Sequence, residues 1–209
     1  MDLSAPARCV VPSLAADVFM VLARTDRPMT GRQIHRLTTG ASWSGVRRIL
    51  VDLADTGLVD VTEAGSANLY VLNRDHVGAE AVLALVDLRG RLFARIRSAI
   101  VGWEVAPHSA IVFGSAARGD GGRSSDIDVL VIRPSEVSVD DPVWAAAVAD
   151  LCISIHRWSG NPGSVVEVDP LELDDMVTRG EPIVAELLRD QVVLVGERIM
   201  APAAGSVPG

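Results

Sequence analysis

Residues 109–133 read Ser-Ala-Ile-Val-Phe-Gly-Ser-Ala-Ala-Arg-Gly-Asp-Gly-Gly-Arg-Ser-Ser-Asp-Ile-Asp-Val-Leu-Val-Ile-Arg. An apolar run from Ala110 to Phe113 stops at Gly114-Ser115, a glycine- and serine-rich loop follows, and Asp126-Ile127-Asp128 leads into a second run, Val129 to Ile132. Both runs have the length, the Val/Ile content and the bounding turn residues of buried strands. Side chains two apart on a strand share a face, so Asp126 and Asp128 point the same way. Two adjacent carboxylates beside a core repel each other and are costly unless a cation neutralises them. A divalent metal fits, and Mg²⁺ with nucleotide phosphates suits all-oxygen ligands of this kind. Gly114 lets a backbone approach phosphate closely, and Ser115 adds a hydroxyl donor. The chemistry implied is metal-assisted phosphoryl or nucleotidyl transfer.

The rest of the composition narrows the setting. At 49% apolar and 22% charged, the 209 residues can bury a real core in one large domain or two small ones. No apolar run approaches the roughly 18 residues of a membrane span. The start, Met1 to Pro12, lacks the basic-then-apolar plan of a secretory leader, which makes the cytosol the expected compartment. Cys9 and Cys152 form neither a disulfide framework nor a zinc pattern. All 19 basic residues are Arg, which excludes lysine-based chemistry. The net charge of −8 argues against a protein coated in nucleic acid but leaves room for a local patch. That charge lies entirely in residues 76–209, because residues 1–75 balance eight Arg with eight acids.

Residues 13–24 place Leu14, Val18 and Leu22 at helical spacing. Thr30 to Gln33 is a capping-box pattern that opens a helix over about 31–38, and a third helix runs from about Ser42 to Asp55, stopped by Gly57. Two strands follow, at Leu58–Val61 and Asn68–Leu72, joined through Gly65-Ser66. Three short helices and a hairpin resemble a winged helix-turn-helix over residues 13–75. Ser44, Arg47 and Arg48 on its third helix are the candidate nucleic-acid contacts, since the start of such a helix commonly reaches base edges. Docking of a protein or a partner subunit is the other use of such a module.

Residues 76–104 are expected to connect the domains. They hold one long helix over 76–101 with an apolar seam of Val82, Leu85, Leu88, Leu92, Ile96 and Ile100, able also to pack on a second copy in a homodimer. The segment 105–198 then holds the motif, a helix capped by Asp141-Pro142, a strand at Gly163–Val168, short helices opened by Asp169-Pro170 and Glu181-Pro182, and a last strand at Gln191–Val195. Both chain ends, Met1–Pro12 and Ala201–Gly209, are Ala/Pro/Gly-rich and expected to fray. His156 and the four scattered Trp read as structural residues.

Gly114-Ser115, ten further residues and Asp126-Ile127-Asp128 entering a strand resemble the nucleotidyltransferase superfamily that includes DNA polymerase β. The fuller pattern Gly114, Ser115, Ala117, Arg118, Gly119, Asp120, Ser125, Asp126, Ile127, Asp128 is similar to its minimal, MNT-type branch. This resemblance, which covers residues 109–195, implies a small mixed-sheet domain; with the winged helix-turn-helix pattern ahead of it, the expected fold class is α+β. The resemblance further implies that Gly114, Ser115, Arg118 and Ser125 hold the triphosphate of an NTP such as ATP, and that Asp126 and Asp128 bind Mg²⁺ or Mn²⁺. A third carboxylate on a neighbouring strand completes such a site and can deprotonate the attacking hydroxyl. Glu167 and Asp169 both stand on the strand that offers it. Asp169 has a helix-capping duty, with Pro170 after it and Glu172 three residues on, so Glu167 is the expected third ligand and catalytic carboxylate.

The function expected from this is transfer of an NMP to an acceptor hydroxyl on a protein toxin, an RNA or a small molecule, in a toxin–antitoxin setting. The alternative is a DNA-binding regulator whose second domain only binds nucleotide or a partner.

Overall fold

The computed structural model describes residues 1–200, which divide into two compact units. Asp2 and Ser4–Arg89 form one; Met1, Leu3 and the chain from Gly90 onward form the other. The tail 201–209, expected to fray, lies outside the described residues.

In the N-terminal unit a single 3-10 turn, Pro6–Cys9, precedes α1 (Leu14–Leu22), a two-residue strand β1 (Met29–Thr30), α2 (Gly31–Leu37) and α3 (Trp43–Asp55). The expected capping box forms at Thr30, and Ser42 caps the third helix as well. Thr30 Oγ1 accepts from the Gln33 amide at 3.2 Å while Gln33 Oε1 accepts from the Thr30 amide at 2.7 Å, and Ser42 Oγ accepts from the Gly45 amide at 3.1 Å. Strands β2 (Val59–Ala64) and β3 (Ala67–Leu72) make an antiparallel ribbon turned at Gly65, whose φ of 62° suits glycine. β1 pairs on the other side of β3, giving the order β1-β3-β2. Val18, Leu22, Ile34, Val46, Leu50 and Leu72 pack in its core with Val82 of α4 (Ala79–Val86).

The single helix expected over 76–101 is two. α4 ends at Asp87, whose backbone (φ −90°, ψ 16°) leaves helical geometry, and α5 (Leu88–Val101) continues. Each half buries its own apolar stretch in a different unit: Val82 in the core just described, and Leu92, Phe93, Ile96 and Ile100 in the second. The seam therefore serves two cores rather than forming an independent connector over 76–104. The start of the chain is not frayed either, because Leu3 is buried in the second unit's core and donates its amide to Gly121 O at 2.8 Å.

The second unit is a four-stranded mixed sheet in the order β6-β5-β4-β7. β4 (Ser109–Phe113), fully buried, leads through the short helix α6 (Gly114–Arg118) and a loop to β5 (Ile127–Ile132), its antiparallel neighbour. α7 (Pro142–Ser159), capped by Asp141 Oδ1 on the amides of Val143 and Trp144, crosses to β6 (Gly163–Val168), which runs parallel to β5. α8 (Pro170–Arg179), α9 (Pro182–Asp190) and β7 (Val192–Val195) complete it. The alternation of strand side chains separates two cores. Ile127, Val129 and Val131 pack with α5 and α7; Leu130 and Ile132 pack on the other face with Val168 and Leu187 of α9. No helix among the described residues is long and apolar enough to cross a membrane.

Candidate active site

The end of β4 and the start of β5 lie side by side, so Phe113 pairs with Asp128 and the next residue, Gly114, turns over the carboxylate. Gly114 has φ 64°, and a Cβ there would sit 3.1 Å from Asp128 Oδ2 and 3.7 Å from Glu186 Oε2. The missing side chain thus leaves a small cradle bordered by two carboxylates. Asp126 stands exposed just ahead of β5, two residues from Asp128, and its charge acts on that carboxylate. Asp128 is partly buried, and its carboxyl titrates above the usual 3.8. Burial is the largest cause, followed by the negative charges of Asp126 and Glu186, with a hydrogen bond from the Ser164 side chain opposing.

The raised value has a consequence for stability. A carboxyl whose folded pKa exceeds its unfolded one contributes stability that is present below the unfolded pKa and lost as pH rises through the folded pKa. In metal-free protein, Asp128→Asn therefore raises Tm near neutral pH, by about 2–4 °C for each kcal/mol relieved. The gain disappears as the medium is acidified through the carboxylate range, which thermal melts in EDTA would follow.

Glu167 is not in this site. The β5/β6 register sets Asp128 beside Ser164 and Val131 beside Glu167. Val131 faces α7, so Glu167 does too, and its carboxylate accepts a 2.5 Å hydrogen bond from Nε1 of the buried Trp144. Strand alternation alone turns it away from Asp128. Asp169 caps α8 as expected, accepting from the amides of Leu171 and Glu172 at 2.8 and 2.9 Å. The third acid beside Asp128 is Glu186, from α9. Glu186 and Asp190 are four apart and share a helix face. Arg118 binds Asp190 at 2.9 Å and Asp120 at 3.0 Å, which ties α9 to α6. Arg118, expected on the triphosphate, is here engaged by two carboxylates at the loop edge.

The loop between α6 and β5 is held from within and from behind. The amides of Gly119, Asp120 and Gly121 converge on Ser115 O, at 2.9 to 3.3 Å. Ser125 Oγ accepts from the Gly122 amide at 2.9 Å, so this hydroxyl, expected on the nucleotide, first closes the loop. Asn161, fully buried, donates its side-chain amide to Gly122 O at 3.2 Å, Arg123 O at 3.4 Å and Ser125 O at 3.0 Å. Removing it takes the buried donor from three loop carbonyls at once, so Asn161→Ala should lower stability by about 1–2 kcal/mol in denaturant unfolding and loosen the segment that presents Asp126.

The donor set is all oxygen, which suits Mg²⁺ or Mn²⁺. Among the described residues no three Asp, Glu, His or Cys side chains close tightly enough to enclose an ion unaided. Mg²⁺ commonly takes one or two carboxylates and completes its shell with substrate phosphates and water, so Asp126 and Asp128 at an open cradle fit that pattern. Ser44, Arg47 and Arg48 lie exposed at the start of α3 in the other unit. His156 is exposed on α7 and takes no part.

Residues 96–177 match a family model described as a nucleotidyltransferase domain. The matched stretch holds Gly114, Ser115, Asp126 and Asp128 and ends before Glu186. No curated protein and no solved structure matches the chain. The match supports a nucleotidyltransferase domain of the polymerase β-like kind in the second unit, with a nucleotide as its substrate.

Proposed function

Taking a nucleotidyltransferase domain over residues 96–177 as the premise, we propose that the second unit transfers an NMP from an NTP, ATP being the first to test, to an acceptor hydroxyl. One observation carries this reading: Gly114 turns its bare backbone over Asp128, and the Glu186 carboxylate borders the same cradle. Asp126 and Asp128 would hold a divalent cation, Mg²⁺ or Mn²⁺, whose charge offsets that of the triphosphate. Gly114 and Ser115 lie where the phosphates meet the chain. The acceptor oxygen attacks the α-phosphorus, the bond to the β-phosphate oxygen breaks, and pyrophosphate leaves with the electron pair. Glu186 takes the acceptor's proton, the role first assigned to Glu167. The acceptor belongs to one of three classes: a protein toxin, as in an antitoxin-type MNT protein, an RNA, or a small molecule. Calorimetric titration with a non-hydrolysable ATP analogue and Mg²⁺ tests the site, since metal-dependent binding should vanish in Asp126→Ala.

The N-terminal unit, three helices and a ribbon in the order β1-β3-β2, we read as a winged helix-turn-helix that presents Ser44, Arg47 and Arg48 to nucleic acid. A second reading follows from the placement of Glu167: with that carboxylate turned to Trp144, the domain would only bind nucleotide, and the protein would be a DNA-binding regulator. The double variant Arg47→Ala/Arg48→Ala separates the two. It should weaken DNA binding about 10-fold or more while leaving transfer to a small acceptor unchanged.

A further inference from the structure

The N-terminal unit carries a cleft of about 380 Å³ between the starts of α2 and α3 and the β2–β3 ribbon, bordered by Arg32, Arg36, Trp43, Arg47, Asn68 and Tyr70. Three guanidinium groups line it and no carboxylate does. Among the described residues none of the three makes an ion pair, although the chain as a whole carries −8. Uncompensated positive charge gathered in a concavity attracts a polyanion. Trp43, 38% exposed, stands at the edge, with the Arg32 guanidinium 5.5 Å from its ring and the His35 ring edge-on at 5.9 Å. Gly31 permits this placement, because a Cβ there would come within 3.1 Å of Trp43 Cη2.

We infer that this cleft binds single-stranded nucleic acid, with backbone phosphates on Arg36 and Arg47 and a base stacked at Trp43 beside Arg32. The inference rests on the nucleic-acid reading of the N-terminal unit but replaces duplex readout by its third helix with single-strand binding, and it is independent of the transferase reading. The cleft has the size of a nucleotide rather than of a duplex, and aromatic and guanidinium planes are what unstacked bases settle on. The surroundings disfavour a duplex. β2 carries Asp60 and Glu63, the ribbon has no basic residue, and α3 turns acidic after Arg48, at Asp52 and Asp55. A duplex would bring its second phosphate backbone toward these acids, whereas a single strand meets only the arginine-lined side.

Fluorescence anisotropy with labelled 12-nucleotide DNA, the same sequence as RNA, and the corresponding duplex tests this on the full chain. The single strands should bind at least about 10-fold more tightly than the duplex, and the comparison of DNA with RNA names the natural source. Trp43→Leu should weaken single-strand binding about 10-fold or more, within the range of one lost base stack. Trp43→Phe, which keeps a ring, should stay within about threefold. Arg36→Ala/Arg47→Ala should also lower the salt dependence by about two phosphate contacts, and Arg27→Ala, a charge loss outside the cleft, should do little. If Trp43→Leu fails to fold, the arginine pair decides. Tighter duplex binding, no binding to any strand, or indifference to the cleft variants overturns the inference. Asp126→Ala should bind the strands like the unaltered protein, so a failed transfer assay leaves this test intact.

Discussion

Replacing Asp126 with Ala should lower the proposed nucleotidyl transfer by about 1,000-fold or more, because a lost ligand to the cation would remove several kcal/mol of charge stabilisation from the transition state. The side chain is exposed, precedes β5 and makes no hydrogen bond among the described contacts, so its loss costs the fold almost nothing. A thermal melt of the variant should match that of the unaltered protein or lie slightly above it, since the Asp126 charge opposes ionisation of Asp128. Activity and stability are thereby uncoupled, which a merely structural aspartate would not allow. Initial rates measured with saturating Mg²⁺ and NTP check it, and a variant retaining more than about a tenth of the rate removes Asp126 from the site.

Glu186 and Glu167 should respond in opposite ways. Glu186→Gln keeps the shape of an exposed side chain and removes a negative charge that acts on Asp128. Transfer should fall by about 100-fold, the lower range for losing a general base, while Tm stays level or rises slightly. Glu167→Ala strips the acceptor from Nε1 of Trp144, a side chain with 1% exposure. That leaves a buried donor unpaired beside the α7 core, and stability should fall by about 1–3 kcal/mol. Its effect on the rate of the folded protein should stay within about twofold. Rates and urea melts of both variants give four numbers. The reverse pattern would return the third carboxylate to β6.

The two acids also show where sequence reading stops. Gly114, Asp126 and Asp128 declare themselves because their chemistry is local: a strand end, a tight turn and an i, i+2 pair fall within fifteen residues. The capped helices declare themselves for the same reason, as Thr30 with Gln33 and Asp169 with Glu172 satisfy each other three residues apart. Glu167 depended instead on strand register, which sequence leaves open. A parallel pairing of β6 with β5 that sets Ser164 against Asp128 makes Glu167 face α7. Glu186 depended on packing between elements distant in sequence. Its only local sign is the i, i+4 relation to Asp190, which the Arg118 ion pair converts into a place beside Gly114. The break at Asp87 was likewise hidden, since an apolar seam of constant period is equally consistent with one core or two.

Whether the second unit moves a nucleotidyl group is decided by following both ends of the triphosphate in parallel reactions. The protein is incubated with Mg²⁺, tRNA, a small-molecule acceptor panel and cell lysate, once with α-³²P-ATP and once with γ-³²P-ATP, and Asp126→Ala serves as control. Label from the α-position should appear on an acceptor while the γ-label leaves as pyrophosphate, and both should vanish in the variant. Transfer of the γ-label to the acceptor would make the domain a phosphotransferase, and no transfer of either label, with ATP or with the other three NTPs labelled in the same two ways, would leave the chain a nucleotide-binding regulator; either result contradicts nucleotidyl transfer.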